Sequence, residues 1–395
     1  MNSLPVVRLQ PQRHKRVRLG HPWAFSNEIQ MDNAAKALPR GGLVRLEVSH
    51  GEPLGIAMFN AHTLIAARLL DRDPTATIDA GWIAKRIARA KELRERLYPG
   101  GHYRLIHAEA DGLPGLIVDR YGDVLVVQRN AAGIEALGEA LFDALDRELS
   151  PKTIVLRDDS HARTLEGLPQ NSETRGSPLD GPIPVRENGA SFFADPRDGQ
   201  KTGWFFDQRE NRAHVASLCK DRRVLDVYSY AGGFGVLAAK MGAVSVRLVD
   251  RSQTALDLAA RAAEANAVAD NCAFERAEAF DFLESQARAG TVWDVVAADP
   301  PAFAKSRKDV PAALKGYRKL AREAAQVVAP RGILFVASCS HNVEPGPFAE
   351  EIARGVSEAG RSARILRVAG AAADHPLHPH LPESAYLKAL LIALD

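Results

Sequence analysis

A doubly wound α/β sheet is the fold class that the sequence predicts for its C-terminal half, preceded by a small β-barrel and a central α+β segment. Three observations lead there. Residues 223–250 read as strand, glycine turn, helix and strand, which is one βαβ unit. Beyond Asp250 helical and strand patterns alternate almost to the end of the chain. Before residue 77 the pattern is short strands separated by glycines, which suits a barrel.

Taken in order, residues 1–20 carry Arg8, Arg13, Lys15, Arg16 and Arg18 and no acidic residue. Gly41-Gly42 and Gly51 then punctuate apolar runs at 43–48 and 53–59. Five cations in one segment fit an ordinary solvated edge as well as a nucleic-acid surface. A central segment over 77–190 begins with a helix at 78–97, where Ile83, Ile87, Ala90 and Leu97 share one apolar face. Strands follow at 103–107, 116–119, 124–128 and 153–156, with a helix at 136–149. Residues 167–181, rich in Pro, Gly, Ser and Asn, read as a mobile loop. A strand pattern returns at 184–193, and 204–212 opens a helix into the C-terminal part, 191–395.

In that part Val224-Leu225-Asp226-Val227 is an apolar run suited to a buried parallel strand, and Gly232, Gly233 and Gly235 let the backbone approach a ligand. The second strand, 244–249, ends at Asp250. Helices at 255–264, 280–289, 315–328 and 348–358 alternate with strands at 273–276, 292–298, 333–337, about 364–366, and 387–394. Ligands bind such sheets beyond the carboxyl ends of the strands.

The bulk numbers narrow the class. A length of 395 residues predicts two or three domains, and 46% hydrophobic with 25% charged is ordinary for a globular enzyme. A net charge of +2 means that a nucleic acid must be met by local basic surface. Cys219, Cys272 and Cys339 are scattered and odd in number, against a disulfide framework or a structural zinc. His375, His378 and His380 alternate with Pro376, Pro379 and Pro382, so no metal is expected. No run approaches the roughly 20 apolar residues of a membrane helix, and the N-terminus lacks a secretory core, which points to a soluble, cytoplasmic protein.

Candidate chemistry sits at the strand ends. Asp250 suits the ribose hydroxyls of NAD or of S-adenosylmethionine equally. Asp226, directly before the glycine loop, would repel a pyrophosphate and favour the cationic S-adenosylmethionine. Asp299-Pro300-Pro301-Ala302-Phe303 leaves the fourth strand with a rigid backbone. Asp299 there can accept from an exocyclic amine, and Phe303 can stack on a displaced base. Cys339 follows the fifth strand and aims at the same cleft as Asp299, where a thiolate could serve as a nucleophile, although most lone cysteines are inert.

These pieces resemble a family. Residues 226–235 resemble motif I of class I methyltransferases, and Ala231-Gly232-Gly233 resembles the Gly-Gly turn of the RNA 5-methylcytosine branch. Gly20-His21-Pro22-Trp23-Ala24-Phe25-Ser26, Asp111-Gly112-Leu113-Pro114-Gly115-Leu116, the segment from Lys201 to Arg209, the Asp299 motif and Ser338-Cys339-Ser340 occur in that order. The set is similar to the bacterial 23S rRNA cytosine-C5 methyltransferases that begin with a PUA domain, over nearly the whole chain. The resemblance implies a PUA-like barrel over 1–76, a Rossmann-like methyltransferase sheet, S-adenosylmethionine as cofactor and 23S ribosomal RNA as partner, and leaves a homodimer open. It implies Cys339 and Asp299 as catalytic residues. Asp226, Tyr228, Gly232, Gly233, Asp250 and Glu278 would bind cofactor, with Asp207, Gln208 and Arg209 at its methionine end. Pro300, Phe303, Arg13, Lys15, Arg16 and Arg18 would meet RNA. Many RNA cytosine-C5 enzymes carry a second cysteine beside the motif IV prolines; here Ala302 and Phe303 stand there, and the base that removes the C5 proton is unassigned. A methyltransferase acting on a base nitrogen, with Cys339 structural, and a non-catalytic RNA-binding protein are the alternatives.

Overall fold

The computed structural model describes residues 4–197, 199 and 202–395. It divides into two compact units. The first comprises Met1–Gly181, Asp195–Trp204 and Asp374–Pro382, and the second comprises Pro182–Ala194, Phe205–Ala373 and Glu383–Asp395.

The first unit contains two five-stranded sheets. One has the order Val6–Arg8, Gly42–Glu47, Pro53–Phe59, Ala67–Asp71, Trp23–Ala24. Its inward side chains, among them Leu9, Val44, Leu46 and Phe59, form a core of their own. The other runs Asn171–Gly176, Thr153–Asp158, Val124–Arg129, Leu116–Tyr121, His102–His107. Helices Ala80–Leu97 and Glu139–Leu149 help to cover it, around Ile83, Ile87, Tyr103, Leu141 and Leu145.

Two expectations change here. Residues 167–181 include a strand, Asn171–Gly176, paired antiparallel with Thr153–Asp158. It hides in the sequence because an edge strand needs no apolar face, and five of its six residues are exposed. The helix expected at 136–149 is two helices, Ala132–Ala136 and Glu139–Leu149, separated at Gly138, whose φ is +53°.

The second unit is built on a seven-stranded sheet. Its strands are β1 (Arg223–Val227), β2 (Ser245–Asp250), β3 (Cys272–Arg276), β4 (Trp293–Ala298), β5 (Val328–Ser338), β6 (Ala363–Ala369) and β7 (Lys388–Leu394). The order is β3-β2-β1-β4-β5-β7-β6. The first five are parallel, and β7 lies antiparallel between β5 and β6. Helices α1 (Arg209–Ala216), α2 (Gly233–Lys240), α3 (Gln253–Ala265), α4 (Ala279–Ala289), α5 (Val310–Gln326) and α6 (Pro345–Glu358) complete the unit. The parallel strands are nearly all apolar because both of their faces are covered, and Leu225, Val227, Val296, Leu334 and Val336 are wholly buried. A hairpin, Ile183–Glu187 with Ala190–Ala194, belongs to this unit across the boundary drawn at 190. Its buried Glu187 accepts from Arg212 of α1 at 2.9 Å, and its Ser191 exchanges two hydrogen bonds with Asn266 after α3.

Candidate active site

Because β3, β2, β1, β4 and β5 are parallel neighbours, their carboxyl ends form one continuous edge. Along it stand Glu278, Asp250, the 228–235 loop, Asp299 and Cys339 in turn. The register fixes the spacing: Val227 faces Val249 on one side and Ala298 on the other, and Ala298 faces Val336.

The loop after β1 is made by backbone geometry. Tyr228 and Tyr230 have φ of +63° and +47°, a conformation costly for aromatic residues, and Gly232 has +81°. The chain therefore turns sharply into α2. Asp226 does not face a ligand. Its carboxylate is buried beneath the loop and accepts from Gly235 N–H at 2.7 Å, anchoring α2 to β1. Burial, the Gly235 bond working against it, and the Asp299 and Asp250 charges together push this carboxyl up to about 7. A Cβ on Gly235 would lie 2.8 Å from Leu248 and 3.1 Å from that carboxylate, so the third glycine serves packing. Asp250 is half-buried; its two oxygens accept from Tyr230 N–H at 2.9 Å and Ser252 N–H at 2.8 Å, leaving lone pairs for a ligand hydroxyl. Glu278 stands at the N-cap position of α4, without a side-chain capping bond, and is exposed.

Between Tyr228 and Tyr230, Ser229 Oγ is buried with no hydrogen-bond partner among the described residues, and so is Gln208 Nε2. Buried polar atoms are normally satisfied, so these are places where a polar ligand fits. Asp207, Gln208 and Arg209 are all buried. Asp207 accepts from Tyr386 O–H at 2.5 Å, Gln208 accepts from Asn211 at 2.7 Å, and Arg209 approaches Glu187 at 3.6 Å. Lys201, of the same motif, lies outside the described residues.

The loop after β4 is stiffened by Pro300, which is buried. Asp299 is half-buried there, but Phe303 differs from expectation. One face of its ring is stacked on Tyr317 at 4.7 Å and 28°, so that face is not free for a base. Cys339 is partly exposed between two fully buried serines. Ser338 Oγ donates to Tyr317 Oη at 2.8 Å, and Ser340 Oγ lies 2.9 Å from the same oxygen and accepts from Ala304 N–H at 3.3 Å. The serines thus point inward and are tied to α5 and the β4 loop, which leaves the thiol between them at the edge. Lys388, buried at the start of β7, donates to Ser340 O at 2.5 Å and Tyr386 O at 3.0 Å. By contrast burial raises the Cys219 and Cys272 thiols to about 12 and about 11, as for inert cysteines.

The sequence did not point to Tyr317, Tyr386, Ser229 or Lys388. Only Lys388 left a trace, as a single cation opening an otherwise apolar strand.

The four basic residues belong to the first unit. Arg16 donates to Glu28 at 2.7 Å and lies 4.4 Å from the Phe25 ring centre, and Arg18 pairs with Glu52. Arg13 and Lys15 are exposed. In the same unit Trp23 of the Gly20 motif donates to Glu109 at 2.8 Å, and His375 Nδ1 lies 2.8 Å from Asp374. Among the described residues, no helix is long and apolar enough to cross a membrane.

A family model described as S-adenosylmethionine-dependent methyltransferase matches residues 170–393, and one described as PUA-like domain matches residues 7–72. The ribosomal RNA large subunit methyltransferase I of Aeromonas salmonicida is 37% identical over 386 residues, covering 96% of this chain and 97% of its own. That of Shewanella denitrificans is 36% identical, with 98% of each chain covered. The chain belongs to the ribosomal RNA large subunit methyltransferase I family. Its cofactor is S-adenosylmethionine, consistent with a strand end that offers carboxylates and unpaired polar atoms. A solved structure from Streptococcus mutans, described as a SAM-dependent methyltransferase, superposes with a TM-score of 0.81 at 20% identity, covering 99% of this chain and all of that one. Another methyltransferase, solved in complex with SAH, gives 0.82 at the same identity and coverage. Both share the fold.

Proposed function

We propose that this enzyme methylates C5 of a cytidine in large-subunit ribosomal RNA, with Cys339 forming a transient bond to C6 of the base. The observation that carries the reading is the setting of Cys339: a partly exposed thiol at the end of β5, held between buried serines, one strand from Asp299. C5 of neutral cytosine is a poor nucleophile. Addition of the thiolate to C6 moves electron density onto C5, which can then attack a methyl group. S-adenosylmethionine supplies that methyl group and leaves as S-adenosylhomocysteine; loss of the C5 proton to a base and expulsion of the Cys339 thiolate from C6 then restore the cytosine ring. Asp226 and Gly235 hold the cofactor loop in shape, while Asp250 accepts from ribose hydroxyls, and Ser229 and Gln208 bond polar groups of the cofactor. Asp299 accepts from the cytosine amine and fixes the ring over the sulfur. The relatives' names support large-subunit ribosomal RNA as substrate, and the PUA-like domain supports RNA capture with Arg13 and Lys15 reaching phosphates. The three hydrophobic cores support a barrel, a central segment and a sheet domain near 1–76, 77–190 and 191–395, except that Met58 and Leu70 pack into the central core and the hairpin at 183–194 goes with the sheet. The test is a map of 5-methylcytidine in 23S rRNA from cells with and without the gene. One cytidine losing its methyl group, and regaining it on addition of purified protein, is expected; a lost methyl on a base nitrogen would overturn the assignment.

A further inference from the structure

Lys388 opens β7 and is a buried cation beside the end of β5. It faces Ser338 across the antiparallel register, one residue before Cys339. Lys388 is 6% exposed as a residue, and its ammonium donates to two backbone carbonyls, of Ser340 and Tyr386. Burying a lysine costs several kcal/mol unless its charge is compensated. Two neutral carbonyls compensate only in part, and a core-facing leucine there would pack at no such cost. Burial pulls the amine down to about 8, and the negative charges of Cys339 and Glu344 oppose that fall. The other titratable groups around it are Tyr317 and Tyr386, with His341 stacked on Tyr386 and Asp207 accepting from its hydroxyl.

We propose that the Lys388 ammonium is the counter-charge that keeps Cys339 as a thiolate, making Lys388 a positioning residue that acts through the sulfur. The thiol proton leaves to solvent, and the lysine keeps its own three protons, two of them fixed on Ser340 and Tyr386. The carbonyl of Ser340 therefore ties the cation to the residue next to the nucleophile, and the tie sets the direction from which charge reaches the sulfur. The inference rests on the role given to Cys339 above, but its test does not depend on methyl transfer.

The experiment follows iodoacetamide labelling of the Cys339 peptide against pH, by mass spectrometry, in the full-length protein without RNA. Lys388→Gln keeps hydrogen bonds to the two carbonyls and removes the charge. Its labelling midpoint is expected to rise by roughly one pH unit or more, as for loss of a close opposite charge. Lys388→Arg, which restores the charge, should return the midpoint toward wild type. Calorimetric binding of S-adenosylmethionine reports that each variant is folded, and Lys388→Met serves the same comparison if the glutamine variant does not fold. An uncharged variant that binds cofactor and labels Cys339 with the wild-type midpoint would overturn the proposal, as would an arginine variant no different from it. Methyl transfer by Cys339→Ala would instead remove the C5 reading and leave the labelling result intact.

Discussion

The carboxyl ends of β1 and β5 lie in the same sheet with β4 between them, yet they are built by different means. At β1 the backbone does the shaping: three residues with positive φ bend the chain, and carboxylates bond N–H groups of the loop. At β5 side chains from distant elements do it, with Tyr317 of α5 between two serines and Lys388 of β7 on the carbonyl that follows the cysteine. A cofactor of fixed shape is met by a preset main chain. A nucleophile needs orientation and charge, which glycine turns do not supply.

The difference can be broken at either end. The largest effect on binding is expected from Asp250→Ala, which loses ribose contacts and the bonds to Tyr230 and Ser252. S-adenosylmethionine affinity should fall by about tenfold or more, about 1–3 kcal/mol, with Cys339 labelling unchanged. Calorimetry giving wild-type affinity would take Asp250 out of the site.

Asp226 tests the same end through stability. Its carboxyl is raised in the folded state from 3.8 to about 7, so the folded protein binds the extra proton between those values. The contribution is fully present below about pH 4 and is lost as pH rises through about 7. Asp226→Asn, which keeps an acceptor for Gly235 N–H, should show a smaller drop in denaturation midpoint between pH 5 and pH 8 than wild type. An equal drop in both proteins would mean that Asp226 titrates normally.

A smaller effect is expected outside both ends. Arg13→Ala with Lys15→Ala should flatten the salt dependence of RNA binding by roughly one unit of slope per lost phosphate contact. Arg16→Ala should change it less, because Arg16 is already committed to Glu28. Cofactor affinity should stay constant in both. A wild-type slope in the double variant would send the RNA path elsewhere.

The same contrast explains what could be read in advance. The alternation of strands and helices along the chain, the glycine turn and Cys339 at a strand end were legible, because apolar runs and glycines report buried parallel strands and tight turns locally. The burial of Asp226 was not, since a carboxylate beside a glycine loop looks the same whether it faces the ligand or the main chain. Nor was the ring contact between Phe303 and Tyr317, or the pairing of Arg16 and Arg18 with Glu28 and Glu52, because these partners meet only after folding. Lys388 lies 49 positions after Cys339, and no local pattern joins them. The strand Asn171–Gly176 escaped because its side chains are polar on both faces.

The central claim is the bond between Cys339 and the base, and one measurement addresses it directly. RNA carrying 5-fluorocytidine at the target position, incubated with enzyme and S-adenosylmethionine, should trap a covalent complex, because fluorine cannot leave C5 as a proton does. Peptide mass spectrometry should place the nucleotide on Cys339, with none on Cys219 or Cys272, and Cys339→Ala should form no complex and no product. Full methylation of unmodified RNA by Cys339→Ala, with no adduct on the wild-type protein, would contradict the account and leave a base nitrogen as the methyl acceptor.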